Sequence, residues 1–352
     1  MRYQSEISSM MPIVSVVLPV FNAEKYVKEA VQSILDQTFP DFELIIINDG
    51  STDSSLRILE QFKAQDERVI LISRENKGLV HTLNEAISIA RGQWIARMDA
   101  DDVALTNRFA RQLEWLDETD ADICGSWVRL FGTVDERILK HPQTDAAIKM
   151  ELLFGTPFAH PAVMLKTELV KKLRYDKAWE KCEDYDLWER ASRAGWKMTN
   201  VPEVLLLYRQ HDSQISTTAA SYQQQLTQKI RCRYWYFIFD SMKLEIKWIE
   251  EVLKLREHLP LKPNMNDVDS AFNELLQRSS GEARATIFDH ATRLYFRAAG
   301  GCLNTVIRWS AINSRFGKNS GFFNKITMLF LSLLRANPDG FIFIFLKKIN
   351  MR

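Results

Sequence analysis

The stretch VSVVLPVFNAEKYVKEAVQSILDQTFPDFELIIINDGSTD, residues 14–53, decides the fold of this chain. It opens with an almost uninterrupted apolar run at 14–20, changes to a helical period of apolar residues at 24–37, and returns to an apolar run at 42–49. A continuous apolar run predicts a strand buried on both faces, and a helix between two such strands predicts that they are parallel. The stretch therefore predicts a βαβ unit.

The same alternation continues as far as residue 131. Further strands are predicted at 68–73, 93–99 and 121–131, and further helices at 54–65, 79–90 and 107–118. This order predicts an α/β fold with a mainly parallel sheet and helices on both faces. The periodicity is less regular at 140–215 and helical from about residue 222 onward. We expect an α/β domain over 1–216 and a helical C-terminal region over 217–352, with the boundary near Thr217.

Polar residues stand where three of the predicted strands end. Asn22 follows the first strand, Asp49 ends the second, and the stretch MDADD, residues 98–102, follows the fourth. Ligands of such sheets bind outside the carboxyl ends of the strands, which meet at one edge. The sequence therefore predicts a binding site at this edge.

The three carboxylates of MDADD are its strongest feature. In strand geometry Asp99 and Asp101 would point the same way and could converge on one hard cation. Unpaired carboxylates this close raise one another's pKa and repel. Mg²⁺ or Mn²⁺ is often held by one or two carboxylates together with phosphate oxygens. We therefore predict a divalent cation carrying a diphosphate; the alternative for Asp102 is a cap on the following helix.

Other polar segments leave two readings open. In IINDGSTDSS (46–55), Asp49 could accept a nucleobase N–H, whereas Gly50 and the residues after it also suit an ordinary capped turn. In EDYDLW (183–188), the acids suit the first turn of a helix, where the helix dipole favours them. His211 in YRQHDSQIS is either a metal ligand or a surface histidine, and His160 in FAHPAVM enters a turn before a strand.

The composition of the whole chain indicates how charge is distributed and which cellular compartment to expect. Residues 1–215 carry 26 Lys and Arg against 34 Asp and Glu, a net −8, and residues 216–352 carry 20 against 11, a net +9. The four cysteines show no CxxC spacing, which argues against zinc or disulfides and favours a cytoplasmic protein. No apolar run approaches the roughly 20 residues of a spanning helix, and the polar opening does not resemble a signal peptide. No nucleic-acid partner is expected.

Taken together, these motifs resemble glycosyltransferase family 2. The stretch at 14–53, followed by NKGL, ARMDADD, EDYDLW and YRQHDSQIS, matches that family in order and spacing over about residues 12–216. The resemblance implies a GT-A fold and an inverting, nucleotide-sugar-dependent transferase. The combination is most similar to bacterial enzymes that build lipooligosaccharide, O-antigen or capsule.

The resemblance assigns roles to individual residues. Pro19 and Phe21 match residues that cradle the uracil, Asp49 matches the carboxylate that accepts the uracil N–H, and Asp99 opens the DxD motif near the ribose and sugar. The sequence departs from many members at Asn48, where they have a second Asp.

The remaining roles implied concern the reaction. Asp101 closes the DxD motif and matches the metal ligand, and His211 occupies the position of a further ligand in some members. Asp184 matches the catalytic base. Glu183, Trp188 and His160 are expected near the donor or acceptor sugar.

The implied activity is transfer of a hexose or N-acetylhexosamine from a UDP-sugar, with Mn²⁺ or Mg²⁺, to a hydroxyl of a lipid-linked surface glycan. The alternative is a scaffold that binds nucleotide sugars without turnover. Residues 303–352 hold eight Lys and Arg against one acid beside short apolar stretches. Such a segment suits a helix lying in the interface of an anionic membrane, here the inner face of the cytoplasmic membrane; the alternative is a helix packed on the catalytic domain.

Overall fold

The apolar runs of the first half of the chain form strands where the periodicity predicts them. A computed structural model describes residues 11–133, 136–211, 220–255, 263–300, 304–317 and 322–334. The chain divides into two compact units, Met1–Ile230 and Arg231–Arg352. The boundary predicted near Thr217 falls within 212–219, outside the described residues.

The first unit alternates strands and helices around one sheet. Its strands are β1 Val14–Val20, β2 Phe42–Asp49, β3 Val69–Arg74, β4 Trp94–Arg97, β5 Val103–Ala104, β6 Ile123–Phe131, β7 Ile138–Leu139, β8 Met164–Lys166 and β9 Met198–Arg209. Its helices are α1 Val27–Leu35, α2 Ser55–Gln65, α3 Leu79–Ile89, α4 Arg108–Thr119, α5 Asp145–Glu151, α6 Thr167–Leu173 and α7 Glu183–Arg193. The strand order is β3-β2-β1-β4-β8-β6-β9-β5, with β7 paired to β6.

One half of the sheet is parallel. β1 pairs in parallel with β2 and with β4, and β2 pairs in parallel with β3. All eight residues of β2 are buried, because helices cover both faces. This shared direction brings the carboxyl ends of β1 to β4 to one edge, as the apolar runs predict. We call it the site edge.

The other half of the sheet is mixed, so the predicted parallel pattern does not extend across it. β8 runs antiparallel to both of its neighbours, β4 and β6, whereas β6 and β9 are parallel. The three-residue β8 is too short to leave a periodic signature in the sequence. Because β4 and β6 are both antiparallel to β8, β6 runs in the same direction as β4. β6 and its parallel neighbour β9 therefore also end at the site edge.

The second unit is helical within the described residues. Its helices are α8 Ala220–Ser241, from residue 231 onward, then α9 Lys247–Lys254, α10 Met265–Arg278, α11 Gly281–Ala299, α12 Asn304–Phe316 and α13 Phe322–Leu333. Its core includes Phe272 and Tyr295, whose rings lie 6.2 Å apart. None of the described helices is long and apolar enough to cross a membrane.

Candidate active site

Asp49, the last residue of β2, is a fixed carboxylate at the site edge. Its Oδ1 accepts the N–H of Lys77 at 2.8 Å, its Oδ2 accepts the N–H of Gly78 at 3.0 Å, and Arg74 forms an ion pair with it. Burial pushes the pKa of Asp49 upward, but these donors together hold it below its ordinary value. Asp49 is therefore an ionised acceptor near neutral pH.

The turn after β2 connects neighbouring loops. Gly50 has φ of +74°, and a Cβ there would lie 2.6 Å from the backbone nitrogen of Asn76. Asp53 accepts the backbone N–H of Glu24, from the loop after β1, at 3.0 Å. Ser54, at the N-cap of α2, makes no side-chain capping bond, but Oδ1 of Asp53 accepts the N–H of Ser55, the first residue of α2, at 2.9 Å. The segment is thus more than the ordinary capped turn that its sequence also suits, because it packs three site-edge loops together.

The loop after β1 exposes an aromatic ring beside Asp49. Pro19 is partly buried within β1, whereas Phe21 just beyond the strand is 53% exposed. Asn22 adopts a left-handed backbone with φ of +49° and accepts the N–H of Thr52 at 2.8 Å. The structure therefore brings Pro19, Phe21 and Asp49 to the same edge of adjacent strands.

The three acids after β4 converge through a turn. β4 ends at Arg97, so the strand geometry predicted for Asp99 and Asp101 is wrong. Residues 98–102, which we call the acid turn, nevertheless place one ligand oxygen each from Asp99, Asp101 and Asp102 within 4.8 Å of one another. The three carboxylates therefore converge, as predicted, but through a turn and not through the alternating side-chain directions of a strand.

A buried cation partly neutralises this cluster. Arg97, the last residue of β4, is buried and donates to Asp99 through both terminal nitrogens, one of them at 2.6 Å. Asp99 is therefore paired, contrary to the expectation of three unpaired carboxylates. Burial still raises the pKa of Asp99, with the charge of Asp101 acting in the same direction. Arg97 by itself does not balance three carboxylates.

Asp102 does not cap the following helix. Its Oδ1 accepts the backbone N–H of Arg209 at 2.8 Å, and its buried Oδ2 has no hydrogen-bond partner among the described residues. Burial raises the pKa of Asp102 well above its ordinary value, and Asp99 and Asp101 add to the shift. A buried carboxylate oxygen without a donor is costly unless a cation or proton compensates it.

His211 lies directly beside the acid turn. Its Nε2 is 2.9 Å from Oδ2 of Asp101, and its ring stacks on Tyr26 with centroids 5.1 Å apart. Carboxylate oxygens and an imidazole nitrogen form a donor set that suits Mn²⁺ or Mg²⁺. With the unpartnered oxygen of Asp102 nearby, the residues present fit a divalent cation.

Helix α7 separates the acids of its first turn. It begins at Glu183; Oδ1 of Asp184 accepts the N–H of Tyr185 at 2.7 Å. Asp186 is fully buried and pairs with Arg190 one turn later. The charge of Asp184 contributes to the raised pKa of Asp99, so the two carboxylates lie within electrostatic range of each other. Burial also raises the pKa of Asp184.

An aromatic cluster packs around Trp188 of this helix. Trp188 is fully buried, with ring centroids 5.2 Å from Phe158 and 5.9 Å from His160. Nε2 of His160 lies 2.7 Å from the hydroxyl of Tyr175. Burial, and secondarily Arg97, lowers the pKa of His160 well below its ordinary value, so its imidazole is neutral. Trp188 is thus shielded from solvent one turn after Asp184 in α7, and the ring of His160 packs against it.

The sequence patterns do not single out three arginines that lie at the site edge. Arg74, Arg97 and Arg209 are the last residues of β3, β4 and β9. Each pairs with or donates to an acid or the acid turn. The sequence feature that identifies these residues is an arginine at the end of an apolar run. Polar residues at that position are expected to face the ligand.

Comparison with protein families and curated proteins gives consistent matches. The family model described as Glycosyl transferase family 2 matches residues 15–174. An uncharacterized glycosyltransferase of Haemophilus influenzae is 31% identical over 255 residues, covering 68% of this chain and 79% of that protein. The O-antigen biosynthesis glycosyltransferase WbnJ of Escherichia coli is 34% identical over 227 residues, covering 63% and 89%.

Solved structures share the fold at low identity. S. aureus TarS 1–349 in complex with UDP-GlcNAc superposes with a TM-score of 0.54 at 16% identity, covering 91% of this chain and 90% of that one. The mannosyltransferase PcManGT of Pyrobaculum calidifontis, in complex with GDP-Man and Mn²⁺, gives 0.51 at 16% identity, covering 94% and 89%. The predicted GT-A fold with added C-terminal helices is confirmed.

Proposed function

The chain belongs to glycosyltransferase family 2, as its motifs predict, and from this premise we propose that it is an inverting, metal-dependent UDP-sugar transferase. The sugar is a hexose or N-acetylhexosamine, and the acceptor is a hydroxyl of a growing surface glycan such as lipooligosaccharide, O-antigen or capsule. The involvement of WbnJ in O-antigen biosynthesis supports this acceptor class.

One observation carries the proposal. Asp49 ends β2 and the acid turn follows β4, the two strands that flank β1 at the site edge, and Asp184 of α7 lies within electrostatic range of Asp99, although the three segments lie far apart in the sequence. An ionised acceptor, a cation-binding cluster and a carboxylate of raised pKa are the three groups that sugar transfer from a nucleotide diphosphate needs.

The nucleotide end of the site is assigned to β1 and β2. Phe21 is exposed and suited to stack on a base, with Pro19 behind it. Asp49 is held by two backbone N–H groups and Arg74, and its remaining lone pairs can accept the N3–H of uracil. Uracil and thymine both present an N–H between two carbonyls to such an acceptor, and the family resemblance selects uracil and therefore UDP.

The diphosphate end is assigned to the acid turn. Asp101 and His211 would hold the cation, with Asp99 beside them near the ribose and sugar. When bound, Mn²⁺ or Mg²⁺ would stabilise as a Lewis acid the charge that develops on the departing UDP. Arg97 fixes the direction of the Asp99 carboxylate.

The acceptor end is assigned to the first turn of α7. Asp184 would take the proton of the attacking hydroxyl, because burial gives it a raised pKa and it lies within electrostatic range of Asp99 in the acid turn. Glu183 would hydrogen-bond the sugar from the helix entrance, and His160 would line the sugar subsite, with the fully buried Trp188 packed behind it. A single displacement by that hydroxyl inverts the anomeric carbon.

The second unit is assigned to a membrane surface that carries the lipid-linked acceptor, on the cytoplasmic side. Exposed apolar residues line α13: Phe322, Phe323, Ile326, Leu329, Phe330 and Leu333. In the sequence, residues 304–334 hold four cations (Arg308, Arg315, Lys318, Lys325) and no acid. Of these, Arg308 pairs with Asp269. An apolar helix face among cations favours an anionic lipid surface as its partner.

Nucleotide choice tests the proposal. Thermal unfolding is followed with UDP-, GDP- and dTDP-sugars, each with and without Mn²⁺. We expect UDP-sugars to raise the melting temperature, and Mn²⁺ to enlarge the rise. A larger rise with GDP- or dTDP-sugars, or a rise indifferent to Mn²⁺, would contradict the assignment of the nucleotide or the metal. Retained binding without release of UDP would instead support the scaffold alternative.

A further inference from the structure

We infer that Arg209 is a positioning residue that holds Asp101 and His211 together and thereby sets the affinity for the divalent cation. The inference rests on the proposed function, since the cation belongs to the proposed transfer. Arg209 is the last residue of β9, with a side chain only 14% exposed.

Polar groups of Arg209 reach two other segments. Its backbone N–H donates to Oδ1 of Asp102 at 2.8 Å, and its Nε–H donates to the carbonyl oxygen of Asp101 at 2.7 Å. Its Nη2 forms an ion pair with Glu29 of α1. One residue therefore ties down both the backbone and a side chain of the acid turn.

Two aromatic rings hold the guanidinium in place. Its central carbon lies 4.7 Å from the ring centroid of Tyr26 and 4.3 Å from that of Phe131. Tyr26 also stacks on His211, whose Nε2 lies 2.9 Å from the carboxylate of Asp101. Arg209, Tyr26, His211 and Asp101 thus close a ring of contacts, which we call the latch.

Few strand-pairing contacts of the sheet fix the acid turn next to β9. The turn runs directly into β5, which has two residues and pairs with β9 at Val103 opposite Leu207 and Ala104 opposite Leu206. This register places Arg209 just beyond the last pair, beside the acid turn. Its side chain therefore supplies the contacts that a longer strand would have made.

Lysine cannot replace these contacts. The guanidinium donates in two directions in one plane and lies flat on aromatic rings, whereas an ammonium is a compact point charge. Arg209→Lys keeps the charge but loses the planar group that joins Asp101, Glu29 and the rings. Partners that orient metal ligands typically change metal affinity by about 10- to 100-fold when removed.

The test is calorimetric titration of UDP into the full chain, with and without Mn²⁺. We expect Arg209→Lys to weaken Mn²⁺-dependent UDP binding about 10- to 100-fold while metal-free UDP binding changes little. Raising Mn²⁺ should restore the binding. The matched control is Arg129→Lys, an exposed arginine of β6, which should bind as the unmodified chain does.

The outcomes separate the latch from the proposed function. No Mn²⁺-dependent UDP binding by the unmodified chain would overturn the proposed function itself. Normal binding by Arg209→Lys, or equal loss with and without metal, would overturn the latch alone. If Arg209→Lys fails to fold, Tyr26 gives the second test: Tyr26→Leu should weaken the Mn²⁺-dependent binding, whereas Tyr26→Phe should restore most of it. Equal binding by both Tyr26 variants would also overturn the latch.

Discussion

Replacing Glu183 by Gln should stabilise the protein at alkaline pH and have little effect at acidic pH. Burial in the first turn of α7, reinforced by the charge of Asp184, raises the pKa of Glu183 from 4.5 to about 7. Glutamine keeps the shape and can still accept the N–H of Lys181, which lies 2.8 Å from Oε2 of Glu183. It cannot acquire the buried charge.

The sign follows from proton binding. Between pH 4.5 and pH 7 the folded state retains a proton on Glu183 that the unfolded state releases, so this group lowers stability as pH rises. Above pH 7 the full penalty is present. A pKa difference between the folded and unfolded states corresponds to about 1.4 kcal/mol of stability per pKa unit. The free energy of unfolding of Glu183→Gln, relative to the unmodified chain, should therefore rise by about 2–3 kcal/mol from pH 5 to pH 8.

The assay is thermal unfolding of both proteins at the two pH values. For a unit the size of Met1–Ile230, the gain corresponds to about 5–10 °C in the melting temperature at pH 8 and little at pH 5. Glu60→Gln, at an exposed position of α2, is the matched control and should show no such growth. A pH-independent difference between Glu183→Gln and the unmodified chain would refute the buried ionisation.

Other predictions concern the metal, the turn after β2 and the membrane surface. Asp101→Ala should abolish Mn²⁺-dependent UDP binding in calorimetry with the melting temperature retained; unchanged affinity in the presence of metal would remove Asp101 from the metal site. Gly50→Ala should lower the melting temperature more than Gly195→Ala, by the equivalent of about 1–3 kcal/mol. Both glycines have positive φ, but only at Gly50 would a Cβ meet backbone, so equal losses would contradict the close approach. The full chain should sediment with anionic vesicles at low salt and release at high salt, and Phe323→Ser, at a position 76% exposed, should weaken the binding; indifference to such vesicles would refute the membrane assignment.

The sequence predicts the parallel half of the sheet well and the mixed half poorly. The runs that became β1 and β2 are long and apolar, and a buried parallel strand needs that composition. The three residues of β8 carry no such periodicity, and its antiparallel pairing with β4 depends on contacts between residues about 70 positions apart. Those contacts, rather than local preference, decide the direction of β8.

The sequence likewise predicts part of the candidate site, namely its acids, and fails to predict the arginines that pair with them. The acids were identifiable because Asp49 and the acid turn follow apolar runs, where ligands of α/β sheets bind. Their partners were not, because the pairing of Arg97 with Asp99 and of Arg209 with the acid turn depends on where β4 and β9 end. Sequence periodicity places strand ends only to within a few residues.

Release of UDP from UDP-sugars tests the central claim most directly. The unmodified chain and Asp184→Asn are compared with Mn²⁺ present and with Mn²⁺ chelated, over a panel of UDP-hexoses and UDP-N-acetylhexosamines, with membranes that carry lipid-linked surface glycan as the acceptor. We predict Mn²⁺-dependent release from at least one of them, lowered about 10²- to 10⁴-fold in Asp184→Asn while UDP-sugar binding survives, as expected when a general base is lost. Release that proceeds equally well in Asp184→Asn would move the base elsewhere, with Glu183 the next candidate. Binding of UDP-sugars with no release from any of them would contradict the account and leave a nucleotide-sugar-binding scaffold.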